Sequence, residues 1–538
     1  MSGSRPAPPH RKDDEAGRLW WRDGVIYQIY PRSFMDANDD GVGDLEGVRR
    51  RLDHLAWLGV DGIWLSPCFP SPMADFGYDV SDYCDIDPIF GNLKDFDRLL
   101  ADAHSRGIRI ILDLVPNHTS DRHSWFQAAR RSKDDPKRDW YLWRDPKPDG
   151  SPPNNWTSVF GGPAWELDPQ TGQYYLHTFL KEQPDLNWRN PEVAAAMHDV
   201  VRFWFDRGVD GFRIDVIHAI AKDPELRDNP VVNGVQERLH SENHPDVHHM
   251  LRALRRLADD YDERMLVGEV YLMDPAKVAT YYGAGDELHL AFNFSFMHAP
   301  WDAGAFRAQV ERFATLVPEH GWPDHVLSSH DARRHASRYN HATLGEARCR
   351  LAALMLLTLR GTPFLYYGEE IGMRNVEIPE DAMQDPLART LSPQLCRDGE
   401  RTPMQWQPGP GAGFTGGSPW LPFGDDAETR NVSRQMEDPA SLLHLYRNAI
   451  ALRRRNPVLQ RGSFQPLDSA EQVFAFERRD GANRALIALN FGATSVNPRL
   501  PAASVQGGLR TDARLPLPDD AASLELRPCE GAVLLTAC

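Results

Sequence analysis

The sequence has 538 residues, of which 41% are hydrophobic and 25% are charged. This balance is that of a folded globular protein and excludes a disordered or fibrous one. The formal net charge of −17 argues against binding to nucleic acid or to an anionic membrane surface, because both would repel the chain. A neutral or cationic ligand is therefore favoured.

Cysteine spacing and the amino-terminal segment indicate a cytoplasmic protein. The six cysteines lie far apart and lack the spacing of a zinc site, so we expect reduced thiols and no disulfide framework. Residues 1–18 are polar, which we interpret as a tail, since they lack the apolar core of a signal peptide. No apolar stretch approaches the ~20 residues that a membrane span needs. The sequence leaves a monomer and a dimer equally open.

Eight short apolar runs alternate with amphipathic helical patterns along the chain. They begin, in order, at Val25, Gly62, Ile108, Asp210, Met265, Leu288, His325 and Thr362. Nearly continuous apolar runs are typical of strands buried on both faces. Eight of them alternating with helices predict an α/β fold of the (β/α)8, or TIM barrel, type. The alternative is an open doubly wound sheet, but no glycine-rich nucleotide loop follows the first run.

Two regions depart from the barrel pattern, which we assign to 19–117 and 191–455. The stretch 118–190 is rich in Pro, Gly, Asn and Trp and is too long for an ordinary loop, so we expect a small inserted domain after strand three. Residues 456–538 alternate with period 2, which predicts a separate antiparallel domain, a β-sandwich. A further irregular segment, about 373–424, should cover the same rim as the insertion.

The apolar runs end in carboxylates, histidines and an arginine. Barrel enzymes hold their reacting groups at the carboxyl ends of the strands. The closing residues are Asp113, Asn117, His118, Arg213, Asp215, Glu269, His330 and Asp331. Because side chains alternate along a strand, Arg213 and Asp215 should face the mouth together, and the guanidinium should lower the pKa of Asp215. Glu269 follows apolar residues, a setting that suits a general acid. Such carboxylates facing a cleft are the minimum equipment for glycoside hydrolysis.

The sequence around these residues resembles the α-amylase superfamily of glycoside hydrolases, family 13. The motifs are DLVPNH from Asp113, GFRIDV from Gly211, GEV from Gly268 and SHD from Ser329. The resemblance implies that Asp215 is the nucleophile, Glu269 the general acid/base and Asp331 the carboxylate that stabilises the transition state, with retention at the anomeric carbon. Ser329 departs from the family pattern, which has Asn there, so local support of the seventh strand should differ.

Three further motifs resemble the oligo-1,6-glucosidase and α-glucosidase group of that superfamily. They are DFGYDVSDY from Asp75, QPDLNW from Gln183 and RTPMQW from Arg401. The resemblance implies an exo-acting enzyme in which Asp75 and Arg401 bind the terminal glucose, since carboxylate and guanidinium can read vicinal hydroxyls. Tyr78 would stack on the sugar ring. The alternative for Asp75 is an ion pair within the loops. The other residues assigned to substrate binding are His118, Phe160, Phe179, Arg213 and His330.

The linkage preference is open in the sequence. Val216, after the nucleophile, accompanies α-1,6 activity in related enzymes, whereas the segment that follows it resembles α-glucosidases acting on maltose. We favour maltose and small malto-oligosaccharides, with sucrose and isomaltose as further substrates. The alternatives are an oligo-1,6-glucosidase or a transglucosylase or isomerase that forms trehalose or isomaltulose. Three intact carboxylates disfavour a non-catalytic scaffold.

The segment DANDDGVGD offers oxygen ligands at alternate positions. They are Asp36, Asn38, Asp40, the Val42 carbonyl and Asp44. Alternating Asp and Asn with glycines is typical of loops that bind Ca²⁺, and the segment resembles the Ca²⁺ or Mg²⁺ loop of the same glucosidase group. A solvated turn is the alternative, because the bidentate Glu of an EF-hand is absent. We predict a structural Ca²⁺ or Mg²⁺ with no part in hydrolysis, and no organic cofactor.

Overall fold

The computed structural model describes residues 18–537, and the predicted tail lies outside this range except for Arg18. An eight-stranded parallel barrel forms the core, as the sequence predicts. Its strands, numbered one to eight along the chain, are Ile26–Ile29, Gly62–Leu65, Arg109–Leu114, Gly211–Ile214, Met265–Gly268, Leu290–Ala291, Asp324–Val326 and Thr362–Tyr366. Hydrogen-bonded neighbours follow the order six, five, four, three, two, one, eight, seven. Apart from the pair six and seven, each described strand therefore pairs with the strands next to it along the chain, and strand eight pairs with strand one. Among the described residues, strands six and seven lie at the two ends of this order and share no hydrogen-bonded pairing, and we call the place where they meet the seam.

Amphipathic helices cover the outside of the barrel. The longer ones are Leu93–Ser105, Ser124–Arg131, Pro191–Arg207, Val247–Asp259, Ala303–Leu316, Gly345–Thr358 and Leu442–Arg455. The shorter ones are Trp20–Asp23, Pro31–Phe34, Leu45–Arg50, Leu52–Leu58, Pro275–Ala279, Phe294–Met297, His335–Arg338, Pro386–Thr390, Val432–Glu437 and Pro457–Gln460. Among residues 18–537, none of the helices has the length and apolar character to cross a membrane.

Local sequence fixes where the helix before strand four begins and ends. The side chain of Asn190 accepts a hydrogen bond from the Glu192 amide, and Pro191 occupies the first turn. At the other end Gly208 adopts φ 106°, a conformation that glycine reaches without steric cost. The helix therefore returns the chain to the barrel just before Gly211, which starts the strand that carries Arg213 and Asp215.

The inserted segment contains a three-stranded antiparallel sheet. Its strands are Trp143–Arg144, Trp165–Asp168 and Gln173–Leu176, with the last in the centre. A small apolar core of Trp156, Trp165 and neighbouring residues lies beneath it. A β-bridge joins His118 to Asp185, so the insertion is anchored directly to the turn that follows strand three.

The carboxyl-terminal region forms one antiparallel sheet, so the predicted sandwich of two sheets is wrong. Its strands are Ser463–Leu467, Val473–Asp480, Asn483–Asn490, Val505–Arg510 and Gly531–Ala537. The period-2 pattern does produce two apolar faces. One face, with Phe474 and Ile487, joins the main core of the barrel, while the other packs on loop residues such as Leu524 and Leu526. The barrel therefore takes the place of the second sheet.

Candidate active site

Arg213 lies at the centre of three carboxylates at the mouth of the barrel. Its Nη1 donates to Oδ1 of Asp215 at 2.7 Å and to Oδ1 of Asp113 at 2.9 Å. Its Nη2 donates to Oε2 of Glu269 at 2.6 Å. Strand four pairs with strands three and five at the level of Arg213, which is why the three acids converge on one guanidinium. The prediction that Arg213 and Asp215 lie together is confirmed.

The pKa of Asp215 moves in the direction opposite to the prediction. Burial raises it well above the ordinary value, the charges of Glu269 and Asp113 raise it further, and Arg213 opposes them. The prediction of a lowered pKa is therefore wrong. The physical reason is that one positive charge is shared among three buried carboxylates. The pKa of Asp113 is likewise raised, to about 7, chiefly by burial.

The backbone after the nucleophile position is strained. Val216 adopts φ 33° and ψ 44°, a left-handed conformation that is unfavourable for a β-branched residue. The same residue donates its N–H to Oε2 of Glu269 at 3.2 Å. The turn thus directs a backbone donor at the carboxyl group of Glu269, and Oε2 is held from two sides.

Asp331 follows strand seven and contacts three cationic or titratable groups. Nη1 of Arg397 and Nη2 of Arg401 donate to its Oδ1 at 2.7 Å and 2.8 Å, and Nε2 of His330 lies 3.0 Å from its Oδ2. Burial alone would raise the pKa of Asp331, but His330 and the two arginines hold it well below its usual range. Asp331 is therefore an ionised carboxylate, in contrast to Asp215.

Ser329 supports the turn that carries Asp331. Its hydroxyl accepts a hydrogen bond from the backbone N–H of Asp331 at 3.2 Å, and Ser329 forms a β-bridge with Ala332. The serine therefore closes the turn with its short side chain, so the departure from the family triplet leaves Asp331 held in place.

Tyr78 and the two predicted histidines line the same mouth. The ring of Tyr78 stacks on His330, with centroids 5.5 Å apart and planes inclined by 4°, and its hydroxyl bonds to Nε2 of that histidine. Burial lowers the pKa of His118 to about 4, so this imidazole is neutral near pH 7. Nε2 of Gln183 lies 3.1 Å from Nε2 of His118 and donates to Oδ2 of Asp75 at 3.2 Å. Gln183 thus links strand three to the loop after strand two.

The structure pairs Asp75 with Arg397 and not with Arg401. Nη2 of Arg397 donates to Oδ1 of Asp75 at 3.3 Å, while Nε of Arg401 donates to the His330 carbonyl at 2.7 Å. Arg401 is 1% exposed and lies behind Asp331. The contact between Asp75 and Arg397 is the ion pair within the loops that was the alternative for Asp75, and the binding of a terminal glucose by Asp75 and Arg401 stays a prediction.

Sequence reasoning missed Arg397 and its second partner, Asp385. Nε of Arg397 donates to Oδ2 of Asp385 at 2.9 Å, and Nη2 donates to Oδ1 at 2.8 Å. This bidentate pair fixes the guanidinium plane. The only sequence signal was a second arginine four positions before Arg401, and spacing alone does not decide which of the two faces the cleft.

Phe160 and Phe179 of the inserted segment form an aromatic wall. Their ring centroids are 6.4 Å apart, and that of Phe179 is 5.1 Å from the ring of His118. The guanidinium of Arg397 lies 5.9 Å from the ring centre of Phe160. The insertion therefore brings both predicted phenylalanines to the cluster of polar residues at the barrel mouth.

The acidic loop after strand one is closed by its own hydrogen bonds. All carboxylate oxygens of Asp36, Asp40 and Asp44 accept hydrogen bonds from the loop's own amides, from the Asn38 side chain or from Thr415. Within residues 18–537 no group of three or more His, Cys, Asp and Glu side chains is placed to hold a metal ion. The arrangement fits a self-closed loop better than a formed cation site.

Comparison with known proteins places the chain among carbohydrate-active enzymes. Residues 28–462 match the family model described as alpha amylase, catalytic domain. A probable alpha-glucosidase of Rhizobium meliloti is 44% identical over 507 residues, covering 90% of this chain and 92% of that protein. An oligo-1,6-glucosidase of Heyndrickxia coagulans is 40% identical, covering 89% and 93%. The crystal structure of XgtA, an alpha-glucosyl transfer enzyme, superimposes with a TM-score of 0.90 at 41% identity, covering 96% of this chain and 100% of that one.

Proposed function

The chain belongs to the α-amylase family of glycoside hydrolases and to its α-glucosidase group, and on this basis we propose that it is an exo-acting, retaining α-glucosidase. It releases glucose from the non-reducing end of short α-glucosides, with maltose and small malto-oligosaccharides favoured. The residues that carry the reaction are Asp215, Glu269 and Asp331.

The contacts of Arg397 are the observation that best supports exo action. This arginine bridges Asp75 and Asp331, and Gln183 bridges Asp75 and His118. Ion pairs and hydrogen bonds thereby connect side chains from separate segments of the chain into a barrier beside the catalytic carboxylates. A cleft closed at one end accepts a terminal sugar ring and excludes a glucan that continues past it.

The two reacting carboxylates have distinct surroundings that suit a nucleophile and an acid. Oε2 of Glu269 is held by Arg213 and by the Val216 amide, so Oε1 is the oxygen that delivers a proton to the leaving oxygen. As the glycosidic bond breaks, Asp215 forms an ester bond with the anomeric carbon. Water then attacks that carbon, Glu269 takes its proton, and Asp215 leaves.

The distance between these carboxylates supports retention. The carboxyl groups of Asp215 and Glu269 both accept hydrogen bonds from the guanidinium of Arg213, at 2.7 Å and 2.6 Å, and are therefore in contact with one another through a single side chain. An inverting enzyme separates its carboxyl groups by about 6.5–9.5 Å to hold a water between them, so the contact favours a covalent intermediate. The ionised Asp331 supplies negative charge beside the developing oxocarbenium ion.

The decisive experiment is a panel of disaccharides followed by proton NMR. We expect glucose to be released from maltose faster than from isomaltose, sucrose or trehalose, and to appear first as the α-anomer. An absence of glucose from all four, and from a nitrophenyl α-glucoside, would contradict the proposal. Initial release of β-glucose would contradict retention alone.

Glucosyl transfer is a second candidate, because one exposed apolar surface lies beside the proposed acid. Tyr271 is 45% exposed and Met273 is 54% exposed, and the ring of Tyr271 lies 4.4 Å from that of Phe294. Burial raises the pKa of Tyr271, and the charges of Glu269 and Asp331 raise it further, so this ring lies near both carboxylates. An acceptor alcohol resting there could replace water. The formation of new disaccharides at high maltose concentration, together with the release of glucose from the donor maltose, would establish transfer.

A structural Ca²⁺ or Mg²⁺ in the loop of Asp36, Asn38, Asp40, Val42 and Asp44 stays a proposal. Binding requires these oxygens to turn from backbone amides towards a cation. One equivalent of metal in the purified protein, with a lower melting temperature after chelation, would support the ion. An unchanged melting curve in a metal-free protein would mean that the loop is closed by its own hydrogen bonds.

A further inference from the structure

A cavity of about 450 Å³ opens on the outer side of the turn that follows strand three. It is lined by residues after strand two, among them Asp82, by the start of the helix Ser124–Arg131, and by Val200. Its volume is within the roughly 300–1,000 Å³ that is typical of small-molecule sites. None of the residues assigned above to the reaction or to the substrate lines it.

His123 presents an unused donor to this cavity. The residue is 4% exposed, and its Nδ1 accepts the backbone N–H of Trp125 at 3.1 Å. The proton of the neutral ring is therefore on Nε2, which has no hydrogen-bond partner in the part of the chain that the structure describes. Burial and the charge of Lys137 lower the pKa of His123 to about 4. The ring of His123, a residue that lines the cavity, thus offers a neutral N–H donor to a ligand there.

The rim supplies donors and acceptors in balance. Oδ1 of Asp82 accepts a hydrogen bond from the Cys84 amide at 2.8 Å, and within residues 18–537 its Oδ2 accepts none. The guanidinium of Arg122 is 73% exposed, and its nearest carboxylate, Asp121, is 3.6 Å away. Trp125 adds an indole ring that is also part of the cavity lining. One carboxylate opposite one guanidinium disfavours a charged ligand and favours a neutral one with many hydroxyl groups.

We propose that this cavity is a second, non-catalytic saccharide-binding site. An aromatic ring, a carboxylate, a guanidinium and a neutral N–H donor match the alternating apolar faces and hydroxyl groups of a pyranose. Tyr83 forms the inner wall, and its hydroxyl donates to the carbonyl oxygens of Val115 and His118 at 2.9 Å and 2.7 Å. The occupant therefore rests on the far side of the turn that carries His118.

Calorimetric titration with maltose tests the site. The Asp215→Asn protein, which cannot hydrolyse the sugar, should bind one more molecule per chain than the same protein carrying Asp82→Ala and Arg122→Ala. Both added changes are at the rim and outside the catalytic cluster, so kcat/KM for maltose in the otherwise unaltered protein should stay within about twofold. Equal stoichiometry in the two proteins would overturn the proposal.

A matched surface pair provides the control. Arg106 and Asp53 form an ion pair at 2.8 Å away from the cavity, and the double change Asp53→Ala, Arg106→Ala should leave the stoichiometry unaltered. Loss of the extra maltose in this control as well would also overturn the proposal. The test is independent of the proposed hydrolysis, because the expected difference of one bound sugar holds even if the catalytic cleft binds no maltose.

Discussion

Two sets of carboxylates in this protein have opposite surroundings. At the barrel mouth, Asp215 and Glu269 are bonded to Arg213, and Asp331 is bonded to Arg397 and Arg401. Elsewhere in the barrel, Asp324 and Glu369 are buried, and within residues 18–537 none of their carboxylate oxygens has a hydrogen-bond partner of good geometry, although Nδ1 of His335 lies 3.5 Å from Oε1 of Glu369.

The difference separates carboxylates that are oriented for the reaction from carboxylates whose burial lowers the stability of the fold. Paired arginines keep carboxylates oriented, and at Asp331 they also keep the charge. Asp324 has no such partner, and burial raises its pKa to about 8, so it is mostly protonated at pH 7. An unpaired buried polar group costs about 1–3 kcal/mol. Changing a carboxylate should therefore reduce activity at the mouth and raise stability at the seam.

The largest expected effect is the loss of hydrolysis in Asp215→Asn. We expect kcat for maltose to fall on the order of 10⁶-fold, because removing the covalent nucleophile of a serine hydrolase costs about this much. The fold should persist, since the amide oxygen can still accept a hydrogen bond from Arg213. Initial rates and a melting curve measure both. A variant with near-normal turnover would remove Asp215 from the role of nucleophile.

The next effect distinguishes the two arginines beside Asp331. Arg397→Ala should raise KM for maltose and lower kcat/KM about 10- to 100-fold, which corresponds to one or two charge-assisted hydrogen bonds. Arg401→Ala should instead lower the melting temperature more, because its guanidinium is 1% exposed and ties Asp331 to the His330 carbonyl. A larger KM effect in Arg401→Ala than in Arg397→Ala would show that Arg401 is the arginine that binds the terminal glucose, as the resemblance implies.

The contacts of Arg397 mark the boundary of what the sequence could predict. The eight strands and the acids at their ends follow from local patterns of burial and alternation. The contact between Asp75 and Arg397 joins residues 322 positions apart, and it depends on how two long irregular segments cross the barrel mouth. No local sequence pattern predicts how these two segments cross.

The same limit explains two corrections to the sequence predictions, that of the carboxyl-terminal sandwich and that of the pKa of Asp215. Alternating residues such as Phe474 and Ile487 predict a sheet with two apolar faces, but they do not say whether the second face meets another sheet or the barrel. For Asp215, adjacency to Arg213 was visible in the sequence. The two further carboxylates that share this arginine, Asp113 and Glu269, come from strands three and five and became visible only in the folded barrel.

A smaller effect concerns the pH dependence of kcat/KM and tests whether the carboxylates that share Arg213 influence each other's pKa. Asp215 must be ionised to attack, and its pKa is raised above the model value of 3.8, so kcat/KM should fall with acidification well above pH 3.8. Replacing Glu269 by Gln removes one charge that raises this pKa. With a nitrophenyl α-glucoside, whose leaving group needs no proton, the acid limb of Glu269→Gln should move to lower pH. An unmoved limb would show that Glu269 does not influence Asp215.

The smallest effect is at the seam, where Asp324→Asn should stabilise the protein. The folded-state pKa of Asp324 is about 8, against about 3.9 in an unfolded chain. The folded state therefore retains a proton that the unfolded state loses, so this group's contribution to stability is full below about pH 4 and declines as the pH rises to 8.

An amide at position 324 cannot ionise and removes that decline. The melting temperature of Asp324→Asn should exceed that of the unaltered protein at pH 8, with a smaller difference at pH 5 and with unchanged kcat. The amides of Ala291 and Asn293 across the seam already approach the Asp324 carboxyl, and an amide oxygen can still accept from them. A lower melting temperature at pH 8 would mean that the carboxylate closes strands six and seven as an anion, and that the two sets of carboxylates differ less than their arginine contacts indicate.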